Sequence, residues 1–311
     1  MDLPFRGTTY YLLMPGIIGF FEFTFMKHRT DLPLERVARL MTEYFHYDLE
    51  NGQYSEFFGS KTPVTRSLVN ENYVPVTSVI TSYETAKGII ECSDFGAVGM
   101  CFCRNKKNHI GGKCKKGAPI ESICISLGTG ARFLSRRGFA EFKTKEELIE
   151  IIDYAHSLRL THVTDNIRNK PTFICSCCGC CCEILAGVRI GAYDGVAKTS
   201  YIATIDPDFC EYCGDCFIGC NVRAIGLDKN RRPKKRSDRV STVNTNICLG
   251  CGACISSCKK DAISLVTREN PTIPMAKKRE LYRTVLKEKG RLTPYVVSRT
   301  EKKIKQFISV K

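Results

Sequence analysis

Twice in this chain, at a constant offset of 38 residues, four cysteines recur with the spacing C-x2-C-x2-C-x3-C. Residues Asp208 to Asp228 read DFCEYCGDCFIGCNVRAIGLD, and Asn246 to Val266 read NICLGCGACISSCKKDAISLV. The cysteines at 210, 213, 216 and 220 step onto those at 248, 251, 254 and 258. A fixed offset at every cysteine marks a duplicated architecture. A packed core has no use for four thiols so close together, because a buried free cysteine is only a small hydrophobe. Zinc is the first alternative, since C-x2-C pairs build zinc ribbons. Two pairs suffice for zinc, however, and leave the third and fourth cysteine of each repeat unexplained.

The spacing is that of the bacterial two-cluster ferredoxins, and the region resembles that family. The resemblance implies a small βαββαβ unit with two [4Fe–4S] clusters. It also implies crossed ligation. Cys210, Cys213, Cys216 and Cys258 would hold one cluster; Cys248, Cys251, Cys254 and Cys220 would hold the other. Gly214, Gly250 and Gly252 leave room for close backbone approach. Two departures stand out. The family places Pro after the fourth cysteine, where this chain has Asn221 and Lys259, and a basic insert, KNRRPKKRSDR (Lys229 to Arg239), separates the repeats.

Eleven more cysteines precede the repeats, making 19 in 311 residues. A disulfide scaffold and a reduced metal protein are the two ways to use so many. The chain is long, the count is odd, and MDLPFRG lacks the basic and apolar regions of a signal peptide. These features place it in a reducing cytoplasm, in an anaerobe. The apolar stretch from Tyr10 to Met26 carries Pro15, Gly16, Gly19 and Glu22 and is short for a bilayer. It reads as a buried strand-turn-strand, with no transmembrane segment.

The upstream cysteines fall into two groups. One is CFCRNKKNHIGGKCKKGAPIESIC, with Cys101, Cys103, Cys114 and Cys124. The other is FICSCCGCCCEIL, with Cys175, Cys177, Cys178, Cys180, Cys181 and Cys182. Together with LRLTHVTDN they resemble the upstream half of a widespread group of anaerobe iron–sulfur proteins, which have a C-x-C-R motif and an ICNCCGCCC-like run ahead of a ferredoxin domain. That resemblance implies electron transfer and names no substrate. Independently, thiols surrounded by Arg104, Lys106, Lys107, Lys113, Lys115 and Lys116 should ionise readily and bind soft metals. Adjacent cysteines such as Cys177 and Cys178 do not converge easily on one iron and can serve two sites. One or two further iron–sulfur clusters, or zinc, are therefore expected, against burial or a vicinal disulfide. Cys92 reads as core. His162 reads as a hydrogen-bonded loop histidine, with a ligand or proton donor as the sharper alternative. His28, His46, His109 and His156 carry no partner pattern, and SLGTGARF (Ser126 to Phe133) lacks a nucleotide fingerprint.

Periodicity adds the elements between. DLPLERVARLMTEYFHYDLENG reads as a helix that Asp31 can cap. VPVTSVI (74–80) reads as a strand, and SYETAKGIIECSD as a helix capped by Ser82. AVGMCFCR reads as a strand whose end delivers Cys101 and Cys103. KTKEELIEIIDYAHSLRL is an amphipathic helix in which Thr144 and Glu147 have capping-box spacing. GVRIGAYDGVAKTS reads as a linker. The segment around AKKRELYRTVLKEKG is a docking helix or a loose tail. The fold class is α+β: a C-terminal ferredoxin-type βαββαβ two-cluster domain and an N-terminal mixed α/β cysteine-rich domain. Its parts are an N-terminal region 1–75, a cysteine-rich domain 76–190, a two-cluster domain 200–268 and a basic tail 269–311.

The formal charge is +15; two clusters of charge about 2− each would lower it to roughly +11. Such a surface suits a redox partner with an acidic docking face. Aromatics are not interleaved with the basic runs, which argues against nucleic acid. The chain thus reads as an electron carrier passing single low-potential electrons to a partner. The alternative is a ferredoxin-fused reductase with a catalytic metal centre in the upstream domain; a pocket beside Cys175 to Cys182 would favour it.

Overall fold

The computed structural model describes residues 19–46, 58, 60–74, 81–227 and 241–293. It also describes the backbone of a short antiparallel ribbon, β1 (Asp2–Phe5) with β2 (Thr8–Tyr11). Helix and strand are mixed throughout. The expected strand at 74–80 and the basic insert lie outside the described residues, apart from Val74.

A six-stranded, wholly antiparallel sheet organises the upstream part. Its strands are β3 (Thr65–Ser67), β4 (Gly96–Gly99), β5 (Cys124–Leu127), β6 (Ala140–Lys143), β7 (Thr161–Asp165) and β8 (Phe173–Cys177), in the order β3-β7-β8-β5-β4-β6. Side chains alternate across such a sheet. Ile125, Leu127 and Ile174 enter one core with Ala86, Ile89 and Ile90 of α3 (Ala86–Glu91) and Leu148 and Ile152 of α6 (Lys145–Ser157). The intervening residues Cys124, Cys175 and Cys177 therefore stand on the other face. Ile125 pairs with Ile174, which sets Cys124 beside Cys175 in register. On that face lie α1 (Phe20–Phe25), α2 (Leu34–His46), α4 (Phe102–His109) and α7 (Glu183–Ile190), and Cys124 and Cys175 share a core with Phe21, Phe25 and Phe45. Helix α5 (Gly128–Arg136) follows β5.

The capping box of α6 is present as expected, with Thr144 accepting from the Glu147 N–H and Glu147 from the Thr144 N–H. Several local expectations are corrected. The second half of Tyr10 to Met26 is helix α1, not a strand. Gly19 takes φ +108° and its N–H is accepted by the Glu22 carboxylate at 2.8 Å, so the one acid in the apolar run anchors a helix start. Helix α2 begins after Pro33, whose carbonyl accepts from Val37, while Asp31 pairs with Arg29 instead of capping. Helix α3 is capped by Thr85, not Ser82: its Oγ1 accepts from the Gly88 N–H at 3.1 Å. Cys103 is not at a strand end; Cys101 caps α4 and Cys103 lies in its first turn. The first part of the expected linker, to Ile190, belongs to α7. Cys92 is exposed rather than core; it follows the last turn of α3 as its C-cap.

The C-terminal part runs β9 (Tyr201–Ile205), α8 (Asp215–Gly219), β10 (Ile225–Leu227), β11 (Ser241–Val243), a 3-10 turn at Ile255–Ser257, and β12 (Ile263–Thr267). β9 pairs with β12 and β10 with β11, both antiparallel. Helix α9 (Lys278–Glu288) is docked: Leu281 and Val285 pack on Ile167, and Glu288 accepts from Thr62. Among the described residues no helix is long and apolar enough to cross a membrane.

Candidate metal centres

Four groups of thiols emerge. In the C-terminal part, Cys210, Cys213, Cys216 and Cys258 line one cavity, and Cys220, Cys248, Cys251 and Cys254 line a second. Each cavity thus takes three cysteines from one repeat and the fourth from the other. Backbone N–H groups point at the sulfurs: Ala224 donates to Cys220 Sγ at 3.2 Å. Gly250, at φ +71°, explains its own identity, since a Cβ there would sit 2.0 Å from the Tyr201 carbonyl oxygen. Burial raises the Cys220 thiol to about 11. Deep thiols of this kind ionise when a cation joins them.

Ten of the eleven upstream cysteines, all but the exposed Cys92, divide into six and four. Cys101, Cys103, Cys124, Cys175, Cys177 and Cys182 line a third cavity, to whose wall Cys178 and Cys181 of the other four also contribute. The six thiols form a chain of neighbours: Cys101 with Cys124, Cys124 with Cys175, Cys175 with Cys177, Cys177 with Cys182, Cys182 with Cys103. Two helix starts serve this cavity. Cys101 stands at the head of α4 and Cys182 at the head of α7, so their sulfurs lie in the field of the Arg104 N–H and of the Ile184 and Leu185 N–H groups, without a cap hydrogen bond at either. Cys182 is held well below the ordinary thiol range, first by the Cys103 and Cys177 thiols and then, against burial, by those N–H groups.

The remaining four, Cys114, Cys178, Cys180 and Cys181, converge so closely that all their sulfurs lie within 4.8 Å of one another. Cys114 to Cys178 is 3.5 Å, Cys114 to Cys180 3.9 Å and Cys180 to Cys181 3.8 Å. Four crowded thiols cannot all ionise without a cation among them. Cys177 and Cys178 part company: β8 ends at Cys177, and the turn that follows brings Cys178 to 3.5 Å from Cys114.

Charged side chains link the centres. Arg104 is buried, donates to the Ser176 carbonyl at 2.7 Å, and leaves its Nε without a hydrogen-bond partner. Burial disfavours its charge, but Cys101, Cys178, Cys124 and Cys114 outweigh this and raise its pKa. It therefore stands between the six-thiol and four-thiol groups. Lys106 is paired with Glu183 in the interior. Lys116 donates to the Arg159 and Gly219 carbonyls at 2.7 and 3.0 Å, and lies in the field of Cys251, Cys178 and Cys220.

Three contacts that the sequence did not announce join the two halves. The Thr161 hydroxyl lies 3.3 Å from Cys251 Sγ, while Thr161 is the strand partner of Cys177. Asn221 accepts from the Gly179 N–H at 3.1 Å and donates to Thr161 Oγ1 and the Arg159 carbonyl at 2.9 and 3.0 Å. The Asn70 N–H donates to the Cys251 carbonyl at 3.2 Å, while within the C-terminal part Arg268 donates to the Cys248 carbonyl at 2.7 Å. The one available signal was Asn221 itself, which stands where the ferredoxins have Pro. His162 is corrected from a loop to a strand residue: its Nδ1 meets Ser176 Oγ at 3.2 Å, and its ring packs edge-on against His156.

No curated protein and no solved structure matches the chain. Residues 209–262 match the 4Fe-4S dicluster domain family, and with the cysteine-lined cavities this marks the chain as an iron–sulfur protein with a 4Fe-4S domain in its C-terminal part.

Proposed function

We propose that this is an electron-transfer protein in which two [4Fe–4S] clusters relay single electrons to an upstream metal centre. The clusters occupy the two C-terminal cavities in a ferredoxin-type βαββαβ domain spanning 200–268. Cys210, Cys213, Cys216 and Cys258 hold the distal cluster; Cys248, Cys251, Cys254 and Cys220 hold the proximal one. Cys213 is exposed, as are Phe209, Phe217 and Ile218 nearby, so electrons enter from a partner at the distal site. The proximal cavity is covered by the upstream part. The observation that carries the reading is Thr161, which touches Cys251 and pairs with Cys177 of the six-thiol cavity. Paired residues of a sheet stand about 5 Å apart, so one residue separates the two centres.

The six-thiol and four-thiol groups hold different things. A metal ion with four thiolates at about 2.3 Å spaces its sulfurs about 3.8 Å apart, which is the spacing around Cys114. That group suits a single ion, zinc first. The six thiols form an open chain around a cavity and suit a further iron–sulfur cluster. An acidic face on the donor would match the chain's net charge of +15.

Anaerobic purification followed by iron, labile sulfide and zinc analysis, with EPR of the reduced protein, tests this. The expected result is at least about twelve irons and about one zinc per chain. About eight irons would remove the upstream cluster, and fewer than about four would sink the relay.

A further inference from the structure

The largest cavity among those described lies on the cysteine face of the six-stranded sheet and encloses about 330 Å³. Its walls include Phe23, Met26, Phe102, Phe133, Leu134 and Phe173. Cys124 and Cys175 line both this cavity and the six-thiol cavity, so the two spaces share a wall. Polar groups gather at Asp165, Thr65, Lys278, Tyr282 and Glu22. Asp165 faces Phe173 across the strands, two residues from Cys175, or about 7 Å along β8. One ring system fills that distance.

We propose that this cavity is a substrate pocket for an uncharged, mainly apolar ring compound carrying one hydrogen-bond-accepting oxygen, reduced at the shared Cys124–Cys175 wall. The inference rests on the relay proposed above and gives it a terminus. The polar end explains the ligand class. Asp165 is spent on the Thr172 N–H and hydroxyl at 2.6 Å and on Lys278 at 3.1 Å. Thr65 Oγ1 is buried on the cavity wall and has no hydrogen-bond partner among the described residues. Tyr282 and Glu22 are both half-buried, and desolvation favours their protonated, donor forms. A carboxylate ligand would meet these two half-buried acids, with the Lys278 ammonium already engaged by Asp165 and Thr172; a carbonyl oxygen would meet hydroxyl donors. For a conjugated carbonyl the step is C=C–C=O + 2 e⁻ + 2 H⁺ → CH–CH–C=O. A low-potential one-electron donor supplies the electrons in two steps through the C-terminal domain, and protons come from water through the donor end.

The test uses the full chain, purified anaerobically, with 4-fluoroacetophenone as probe and 4-fluorobenzoate as its charged counterpart, followed by fluorine NMR. Saturable binding of the ketone is expected, with the benzoate at least about tenfold weaker. Leu134→Trp, which fills the cavity, should abolish binding. Tyr282→Phe, which preserves the wall, should weaken it about three- to tenfold. The ketone should also change the EPR spectrum of the reduced upstream centre. Absent binding, binding indifferent to both substitutions, or an unperturbed spectrum with the ketone bound would overturn the proposal. Missing iron signals in ligand-free protein would instead indict the relay, so the two failures are distinguishable.

Discussion

The two halves of the molecule use cysteine in opposite ways. In the C-terminal part eight thiols are spread around two cavities, each bounded by a tight loop and a residue from the other repeat. Upstream, ten thiols are crowded into two adjacent nests, and the neighbouring pairs Cys177–Cys178 and Cys181–Cys182 are each split between them. The first arrangement is a local device repeated, and it can be read from spacing. The second is a tertiary device, assembled where a strand, two helix starts and a loop meet. Its charge is also managed differently: Arg104 stands buried between the nests, whereas Arg268 meets the proximal loop at a half-buried backbone carbonyl.

Exchanging those two arginines should separate the halves most sharply. Arg104→Gln leaves two groups of thiolates without their internal cation and should cost about 3–5 kcal/mol. Arg268→Gln should cost about 1–2 kcal/mol. Denaturant unfolding under anaerobic conditions measures both, and equal losses would erase the distinction. Next in size is Cys114→Ser. It should remove about one zinc per chain while leaving iron unchanged; loss of iron instead would show that the four-thiol nest holds part of a cluster.

Asn221→Pro restores the ferredoxin residue and removes three hydrogen bonds to Gly179, Thr161 and Arg159. It should destabilise the protein by about 1–3 kcal/mol. Lys259→Pro at the equivalent, exposed place in the second repeat should be within about 1 kcal/mol of neutral. Calorimetry of the pair tests whether the first repeat alone ties the halves together.

The smallest effect concerns pH. Burial lowers His156 to about 4 and pushes His162 well below its ordinary value, so both are neutral when folded. In the unfolded chain they take up protons near 6.5. The unfolded state then binds more protons below that pH, and the stability contributed by neutral burial is lost as pH falls from about 6.5 towards 4. His156→Gln should flatten this slope in unfolding measured across that range; an unchanged slope would place its origin elsewhere.

How much was legible follows the same division. The 4Fe-4S character of the C-terminal repeats and the helix over Lys145–Ser157 were readable because spacing and capping are local. The mixed character of the fold was readable from periodicity. The sheet order was not, because β3 meets β7, and β5 meets β8, across long stretches of chain. Helix α1 was missed because an aromatic run suits strand and helix alike, and Glu22 at Gly19 decided the matter. Cys103 was placed on a strand because C-x-C alternation looks like a strand edge, whereas Cys101 starts a helix. The split of the cysteine run into two nests was visible only as a rule that Cys177 and Cys178 should part company.

Gly179 shows what this arrangement demands of time. A Cβ there would stand 2.2 Å from the Asn221 carbonyl oxygen, so the turn of the cysteine run is moulded against a segment made later. At ordinary rates of synthesis Cys182 is made about 2–8 s before Asn221. For that interval ten upstream thiols exist without the surface that shapes their turn. Metal supplied before the C-terminal domain is in place would meet an unfinished mould, and the order of loading becomes part of how this protein is made.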